Sequence, residues 1–243
     1  MLKDSTKWYA SWFDTPYYHI LYKDRDYAEA ELFMKTLTHY LNLAPGDAIL
    51  DLACGKGRHS IYLNSIGYNV TGADLSENSI THASQFANDT LRFKVHDMCK
   101  PFDAKFEAVF NLFTSFGYFE NEEDNLNTIK SIKADLNDTG CAVLDFMNVE
   151  HVIANLVPEE IKTVENIDFR IKRYVKDGYI FKEINFDANG ESYSFTEKVK
   201  AISLQDFQNY FEQAGVYLLD IFGDYHLNKF HKSDSPRLIM VFK

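Results

Sequence analysis

A glycine-containing turn between an apolar run and a helical segment is the part of this sequence best suited to chemistry. Residues 49–59 read Ile-Leu-Asp-Leu-Ala-Cys-Gly-Lys-Gly-Arg-His, which places Gly55 and Gly57 two positions apart. Glycines let a backbone approach a ligand where a Cβ would collide. The helix that opens near Gly57 directs its first N–H groups towards an anionic partner. The turn therefore predicts a site for the anionic part of a ligand.

An acid follows at the end of the next apolar run. Asp74 stands 17 positions after Gly57 and is followed by Ser76. A strand, a glycine turn, a helix, a second strand and an acid form the unit that holds nucleoside-containing cofactors. We expect Asp74 to accept hydrogen bonds from both ribose hydroxyls. The alternative is an ordinary turn in which Asp74, followed by Ser76, caps the next helix.

The glycine spacing discriminates between two kinds of cofactor. The dinucleotide fingerprint has a third glycine three positions after the second. This chain has Ser60 there, which disfavours a pyrophosphate binder. An NAD(P)-binding Rossmann protein, with Asp74 on the adenosine ribose, is the alternative interpretation.

Four segments in order resemble the motifs of the class I S-adenosylmethionine (SAM)-dependent methyltransferases. The pattern Asp51-x-Ala53-x-Gly55-x-Gly57 resembles motif I, with Ala53 where the family often has its first glycine. Residues 54–60 are also similar to small-molecule and tellurite-type members of the class. The other three resemblances are to motif II, to the acidic turn that meets the adenine, and to the segment after the fourth strand: Asp74-Leu-Ser76, His96-Asp97-Met98 and residues 111–118.

This resemblance implies SAM as the cofactor and S-adenosylhomocysteine as the product. The acid at position 97 has an alternative role, which is to cap a turn that leads to Pro101. The cofactor-binding candidates come from the four motifs and from the aromatic N-terminal segment: Tyr18, Tyr22, Arg25, Asp51, Ala53, Cys54, Gly55, Gly57, Asp74, Leu75, Asp97, Met98, Asn111, Leu112, Phe113 and Phe116.

Methyl transfer from a sulfonium depends mainly on aligning the reactants, so no strong catalytic motif is expected. Aromatic faces suit the cationic sulfonium, although core packing is the alternative for each ring. Candidates for a catalytic role are His19, Tyr22 and Tyr118, and further histidines that could act as a base are His151, His226 and His231. A protein that binds SAM but has lost catalysis is another alternative.

Strands alternate with helices up to about residue 147, which predicts a parallel sheet with right-handed crossovers. The expected fold class is α/β, a Rossmann-like doubly wound seven-stranded sheet with its last strand antiparallel. From 162 to 202 the period is near two, and Asp177-Gly178 and Asn189-Gly190 are hairpin turns. This segment predicts a three-stranded antiparallel insert with a covered face of Phe169, Ile171, Tyr179, Phe181 and Phe195.

The expected domain organisation has a SAM-binding domain of residues 1–161 and 203–243 and an inserted β subdomain of residues 162–202. Residues 8–25 are rich in aromatic side chains and are expected to form a lid over the carboxyl edge of the sheet. The insert is expected to form one wall of the acceptor pocket. Its covered face has two alternative roles, packing on the core or forming a dimer surface.

Composition limits the partners of this chain of 243 residues. A net charge of −11 lacks the electrostatic footprint of a nucleic-acid binder. The three cysteines have no metal-ligand spacing and suit a reducing compartment, so no metal is expected. No apolar run reaches the length of a bilayer span, and the N-terminus lacks a signal core. The sequence therefore predicts a cytoplasmic monomer or homodimer that acts on a small molecule, without nucleic acid or membrane partners.

Overall fold

A computed structural model describes residues 12–23, 27–119 and 121–243 of the chain. The chain divides into two compact units. The larger unit comprises Asp26–His151 and Ile202–Lys243, and the smaller comprises Met1–Arg25 and Val152–Ala201. The helices and strands of the described residues are, in chain order, α1 (Pro16–Leu21), α2 (Tyr27–Tyr40), β1 (Ala48–Leu52), α3 (Arg58–Ser65), β2 (Asn69–Asp74), α4 (Glu77–Ala83), β3 (Leu91–Val95), β4 (Phe106–Asn111), α5 (Glu122–Asp135), β5 (Leu136–Met147), α6 (Val149–Ala154), β6 (Glu159–Val164), β7 (Ile167–Lys176), β8 (Tyr179–Ala188), β9 (Glu191–Lys200), α7 (Leu204–Ala214), β10 (Leu218–Phe222) and β11 (Arg237–Phe242).

The larger unit contains a seven-stranded sheet among its described residues. The strand order is β10-β11-β5-β4-β1-β2-β3. Strands β1 to β5 pair in parallel, whereas β11 pairs antiparallel with both β5 and β10. This confirms the predicted fold class. The strand order reverses at β1, which lies between β2 and β4. Open α/β sheets bind ligands at such a switch point, at the carboxyl ends of the strands.

The core of the larger unit explains why its central strands read as continuous apolar runs. Ile49 on β1 and Val143 on β5 are both buried. This is expected for the strands of a parallel sheet that is covered on both faces. Helix α2 contributes Phe33, Met34 and Leu37 to the same cluster, at the spacing of one helical face. None of the helices within the described ranges has the length and apolarity needed to cross a bilayer.

The smaller unit contains a four-stranded antiparallel sheet, in the order β6-β7-β8-β9. Its hairpins turn through left-handed residues, Asp177-Gly178 and Asn189-Gly190 as predicted. The expectation of three strands was wrong, because β6 is an additional edge strand. Its turn to β7 uses Glu165 and Asn166, both left-handed, and therefore lacks the glycine that marked the other turns.

One face of this sheet packs on the described part of the N-terminal segment. Trp12 and Leu21 are buried there with Phe169, Ile171 and Phe186. Tyr179 and Phe181 do not belong to that face, contrary to expectation. Phe181 pairs with Tyr174. It is an odd number of residues along β8 from Ile180 and Ile184, which are buried. Because neighbouring residues of a strand point to opposite faces, Tyr179 and Phe181 lie on the other side.

Candidate functional site

The predicted glycine turn follows β1 directly and is built from left-handed backbone. Ala53, Gly55 and Gly57 have φ angles of 61°, 55° and 84°. The Cys54 N–H donates to the carbonyl of Ala73 at 3.0 Å, which ties the turn to β2. Gly57 is the N-cap of α3, and no side chain in the described part of the chain caps that helix. The first N–H groups of α3 are thus presented at the carboxyl edge of the sheet.

The two glycines have different reasons to be glycine. A Cβ on Gly57 would lie 2.7 Å from Cε1 of Phe93, so this position is needed for packing on β3. A Cβ on Gly55 would meet no atom of the described residues within 4 Å. Gly55 therefore borders open space, as a glycine that faces a ligand would. The expectation that both glycines allow a ligand to approach stays a prediction: the open space at Gly55 is compatible with it, whereas Gly57 packs on Phe93.

Asp74 connects the end of β2 to this turn. Its Oδ2 accepts a hydrogen bond from the Gly55 N–H at 2.8 Å, and its Oδ1 accepts one from the Ser76 N–H at 2.8 Å. The cap of α4 is Ser76, whose hydroxyl accepts from the Ser79 N–H at 3.0 Å. Asp74 is therefore not the helix cap. A carboxylate oxygen can accept more than one hydrogen bond, so these contacts are compatible with the role predicted for Asp74.

A second acid, Asp51, is buried beneath the turn. Its Oδ2 accepts from the Ser60 hydroxyl at 2.6 Å. Burial raises the pKa of Asp51 to about 6, and the neighbouring charge of Asp74 acts in the same direction. The Ser60 hydrogen bond opposes this rise because it stabilises the ionised form. Ser60, which replaces the third glycine of the dinucleotide fingerprint, thus has a defined partner.

The carboxyl ends of β3 and β4 bring three further candidates to the same edge. The Asn111 amide donates to the carbonyl of Leu52 at 3.2 Å and lies 3.7 Å from the sulfur of Met98. Asn111 is fully buried, and its Oδ1 has no hydrogen-bond partner among the described residues. A buried amide oxygen of this kind would be satisfied by a ligand donor. Oδ1 of Asp97 accepts from the Cys99 N–H at 3.1 Å, which is the turn-capping role considered as its alternative.

The segment after β4 folds back onto the first turn of α3. The Phe113 ring stacks on His59 with centroids 4.5 Å apart and planes 6° apart. Leu112 is buried in the main core, and Leu75, after β2, is largely exposed. Phe116 is fully buried and packs on Phe207 of α7, so it has the core role that was the alternative for the aromatic candidates.

Two residues that the sequence analysis missed hold this segment. Asp145 on β5 is completely buried, and its Oδ2 accepts from the Phe113 N–H at 2.8 Å. Arg237 at the start of β11 donates from Nε to Oδ1 of Asp145 at 2.8 Å. Burial raises the pKa of Asp145, while the Arg237 charge opposes the rise. The sequence feature that could have identified Asp145 is that it is the single acid within the apolar run Cys-Ala-Val-Leu-Asp-Phe-Met.

The N-terminal candidates belong to the smaller unit. Tyr22 donates its hydroxyl to Oε1 of Glu197 at 2.7 Å, and Trp12 donates its indole N–H to the same oxygen at 2.8 Å. Tyr18 packs edge-on against Trp12. His19 lies on α1 beside these rings. Their part in a cofactor or acceptor site stays a prediction, and Arg25 lies outside the described residues, as do residues 8–11 of the predicted lid.

The remaining base candidates are dispersed in the larger unit. Tyr118 is partly buried in the segment after β4. His226 and His231 are exposed in the connection between β10 and β11. The imidazole Nδ1 of His151 lies 3.0 Å from the carbonyl oxygen of Ser233. The residues that the structure brings together are thus those of the glycine turn, Asp74, Asn111 and Phe113, and no base is singled out among them.

Comparisons with known proteins agree with this geometry. Residues 49–140 match the family described as methyltransferase domain. YqeM, a candidate methyltransferase from Bacillus subtilis (strain 168), is 27% identical over 192 residues, which cover 73% of this chain and 76% of YqeM. The glycine/sarcosine N-methyltransferase of Aphanothece halophytica is 30% identical over 135 residues, which cover 53% of this chain and 49% of that enzyme.

A solved structure extends the likeness over both units. The S-adenosylmethionine-dependent methyltransferase from Clostridium acetobutylicum ATCC 824 has a TM-score of 0.79 at 20% identity, covering 93% of this chain and 95% of that one. The sheet order, the matched domain and the motif geometry together define the class: this chain is a class I SAM-dependent methyltransferase. It is therefore an enzyme whose cofactor is SAM.

Proposed function

We propose that the enzyme binds SAM at the glycine turn and Asp74 and transfers the methyl group to a small-molecule acceptor. When bound, SAM supplies a methyl group activated by a sulfonium leaving group. The protein's own task is then to orient that group and exclude water, which is catalysis by proximity and alignment. We assign the ribose to Asp74 and the methionine part to the space beside Gly55.

The observation that carries this proposal is the coupling of Asp74 to Gly55. One carboxylate oxygen fixes the N–H of the glycine that borders open space, so the acid and the turn are held in one geometry. Oδ1 of Asn111, which no described residue contacts by a hydrogen bond, lies at the end of the neighbouring strand β4. These groups fit a ligand that combines hydroxyl donors with a nitrogen-bearing ring. We place the adenine near Met98 and Asn111 on this basis.

A small acceptor is supported by charge and by kinship. The net charge of −11 opposes binding to nucleic acid phosphates. One relative is a glycine/sarcosine N-methyltransferase, whose name gives it a small amine acceptor. We further propose that the smaller unit selects the acceptor, since aromatic side chains such as Tyr17 and Tyr193 line the face of its sheet that bears α1. The acceptor atom is left open.

Calorimetric titration with S-adenosylhomocysteine tests the cofactor site. Asp74→Ala should weaken binding by about 2–4 kcal/mol, because two ribose hydroxyls lose a charged acceptor. Gly55→Val should abolish binding by filling the space beside the turn. The matched control is Asp138→Ala, which removes an exposed carboxylate near the start of β5, at the opposite edge of the sheet.

Two results would contradict the proposal. One is a folded Asp74→Ala variant with parental affinity for S-adenosylhomocysteine. The other is parental protein that binds NAD or NADP in the same titration and leaves S-adenosylhomocysteine unbound. Turnover with a panel of small amines, measured as S-adenosylhomocysteine release, separates an active enzyme from a protein that only binds SAM.

A further inference from the structure

The segment after β4 contains consecutive residues with left-handed backbone. Phe113 and Thr114 have φ angles of 57° and 61°, and neither is glycine. Left-handed backbone is unfavourable for residues with a Cβ, above all for β-branched threonine. Such conformations persist only where the surrounding structure holds them, and they concentrate at binding sites. Something in the fold must therefore fix these residues.

Asp145 and Arg237 supply the contacts that fix them. The Asp145 carboxylate accepts from the Phe113 N–H at 2.8 Å, and the Asp145 carbonyl accepts from the Thr114 N–H at 3.1 Å. Arg237 bridges the side chains of Asp145 and Thr114, because its Nε donates to the Asp145 carboxylate at 2.8 Å and its Nη2 donates to the Thr114 hydroxyl at 2.9 Å. The Asp145 side chain is fully buried, and that of Arg237 is 18% exposed. The ion pair is thus shielded from water and directed at this loop.

The conformation that the pair holds places Phe113 against the first turn of α3, directly after the glycine turn. The Phe113 ring stacks on His59, two residues after Gly57. Asn111, whose amide oxygen has no hydrogen-bond partner within the described ranges, lies two residues before Phe113. Rotation of the loop out of its left-handed form would therefore move one border of the site without disturbing the strands.

We infer that Asp145 and Arg237 are positioning residues for the cofactor site, which act by holding Phe113 and Thr114 in the left-handed conformation. The inference rests on the proposed function, because it takes the glycine turn as the SAM site. Neither residue needs to touch the ligand. The pair sets the population of chains whose site is already formed, and apparent affinity scales with that population.

Binding measurements on four variants test the inference. Arg237→Lys keeps the charge beside Asp145 but has one ammonium in place of the fork that reaches Asp145 and Thr114 together. We expect S-adenosylhomocysteine to bind about tenfold more weakly. Adding Thr114→Asn should restore most of the affinity, because asparagine tolerates left-handed backbone. Thr114→Val removes only the hydroxyl that Arg237 contacts and should weaken binding in the same direction.

The matched control is Asp135→Asn. Asp135 is also buried and also accepts a backbone hydrogen bond, from the Phe102 N–H at 2.7 Å, but it lies at the end of α5, next to the start of β5. Asp135→Asn should change the melting temperature and leave the affinity unchanged. A purely structural ion pair would behave like this control.

The outcomes separate this inference from the proposed function. Parental affinity in folded Arg237→Lys and Thr114→Val, or an affinity loss in Arg237→Lys that Thr114→Asn leaves unchanged, would overturn the positioning role. If Arg237→Lys does not fold, the Thr114→Val result decides. Failure of the parental protein to bind S-adenosylhomocysteine, or normal binding by Asp74→Ala, would instead overturn the proposed site, and the inference with it.

Discussion

At the scale of single residues, Asp51 makes the stability of the free protein depend on pH. Its pKa is raised from 3.8 to about 6 by burial, so the folded chain binds a proton that the unfolded chain has released between these values. The contribution of Asp51 is therefore intact below pH 4, decreases as pH rises to about 6, and is constant above. At neutral pH the ionised, buried Asp51 carboxylate therefore lowers the stability of the folded protein.

Asp51→Asn should become more stable than the parent as pH rises from 4 to 7. The gain is at most on the order of 3 kcal/mol, since one pKa unit corresponds to about 1.4 kcal/mol and the amide can still accept from Ser60. Urea unfolding at several pH values measures the difference between the two proteins. The exposed Asp138→Asn serves as the control, and a stability difference for Asp51→Asn that is flat across this range would count against the argument.

The residues of the site were predictable in part. The glycine turn and Asp74 follow from local spacing, because a turn and the acid after the next strand are set by one βαβ unit. Asp145 and Arg237 were not predictable in this way, since they are 92 positions apart and meet only through the pairing of β5 with β11. A motif reports neighbours in sequence, whereas a buried ion pair depends on sheet topology.

At the scale of elements, the hairpins of the smaller unit differ in how well their turns suit their backbone. Glu165 and Asn166 have φ angles of 51° and 63°, whereas Gly178 and Gly190 occupy the corresponding second positions of the other turns. Asn166→Gly should therefore stabilise the protein by about 0.5–1 kcal/mol. Gly178→Ala should destabilise it by a similar or larger amount. Thermal melting of both variants gives the comparison, and a destabilised Asn166→Gly would show that the asparagine side chain makes a contact that outweighs its backbone strain.

The same hairpin shows why element prediction was incomplete. The strand Glu159–Val164 reads Glu-Glu-Ile-Lys-Thr-Val, with too few apolar residues to mark a buried face, because it is an edge strand. Aromatic residues occupy both faces of the sheet, with Tyr174 stacked on Phe181 on one side and Phe169 against Phe186 on the other. Alternation alone could not decide which face is covered. The central strands of the larger sheet were predictable because burial on both sides leaves them continuously apolar.

At the scale of the whole molecule, the two units permit separate tests of cofactor and acceptor binding. Replacing residues 159–200 by a short loop should leave S-adenosylhomocysteine binding intact and abolish turnover, because the glycine turn, Asp74 and Asn111 all lie in the larger unit. The replacement leaves Trp12 and Leu21 without the sheet that buries them. A second version should therefore also lack residues 1–25.

The pair of deletions also tests the predicted lid. If residues 8–25 close over the cofactor, the second version should bind S-adenosylhomocysteine more weakly than the first. Equal affinity of the two versions for S-adenosylhomocysteine would show that residues 8–25 do not contribute to cofactor binding. Retained turnover in the first version would show that the acceptor is selected elsewhere, and would contradict the role proposed for the sheet.

The cysteine in the glycine turn has a consequence for how this enzyme tolerates oxidants. Cys54 is buried, and burial raises the pKa of its thiol, with the charges of Asp51 and Asp74 acting in the same direction. Burial likewise raises the pKa of the Cys99 thiol to about 11 and that of Cys141 above its usual value. Peroxides and alkylating reagents attack the thiolate, so the folded enzyme should react slowly at neutral pH. A cysteine placed within the glycine turn is thereby kept from acting as a redox switch, and modification of Cys54 would report that the turn had opened.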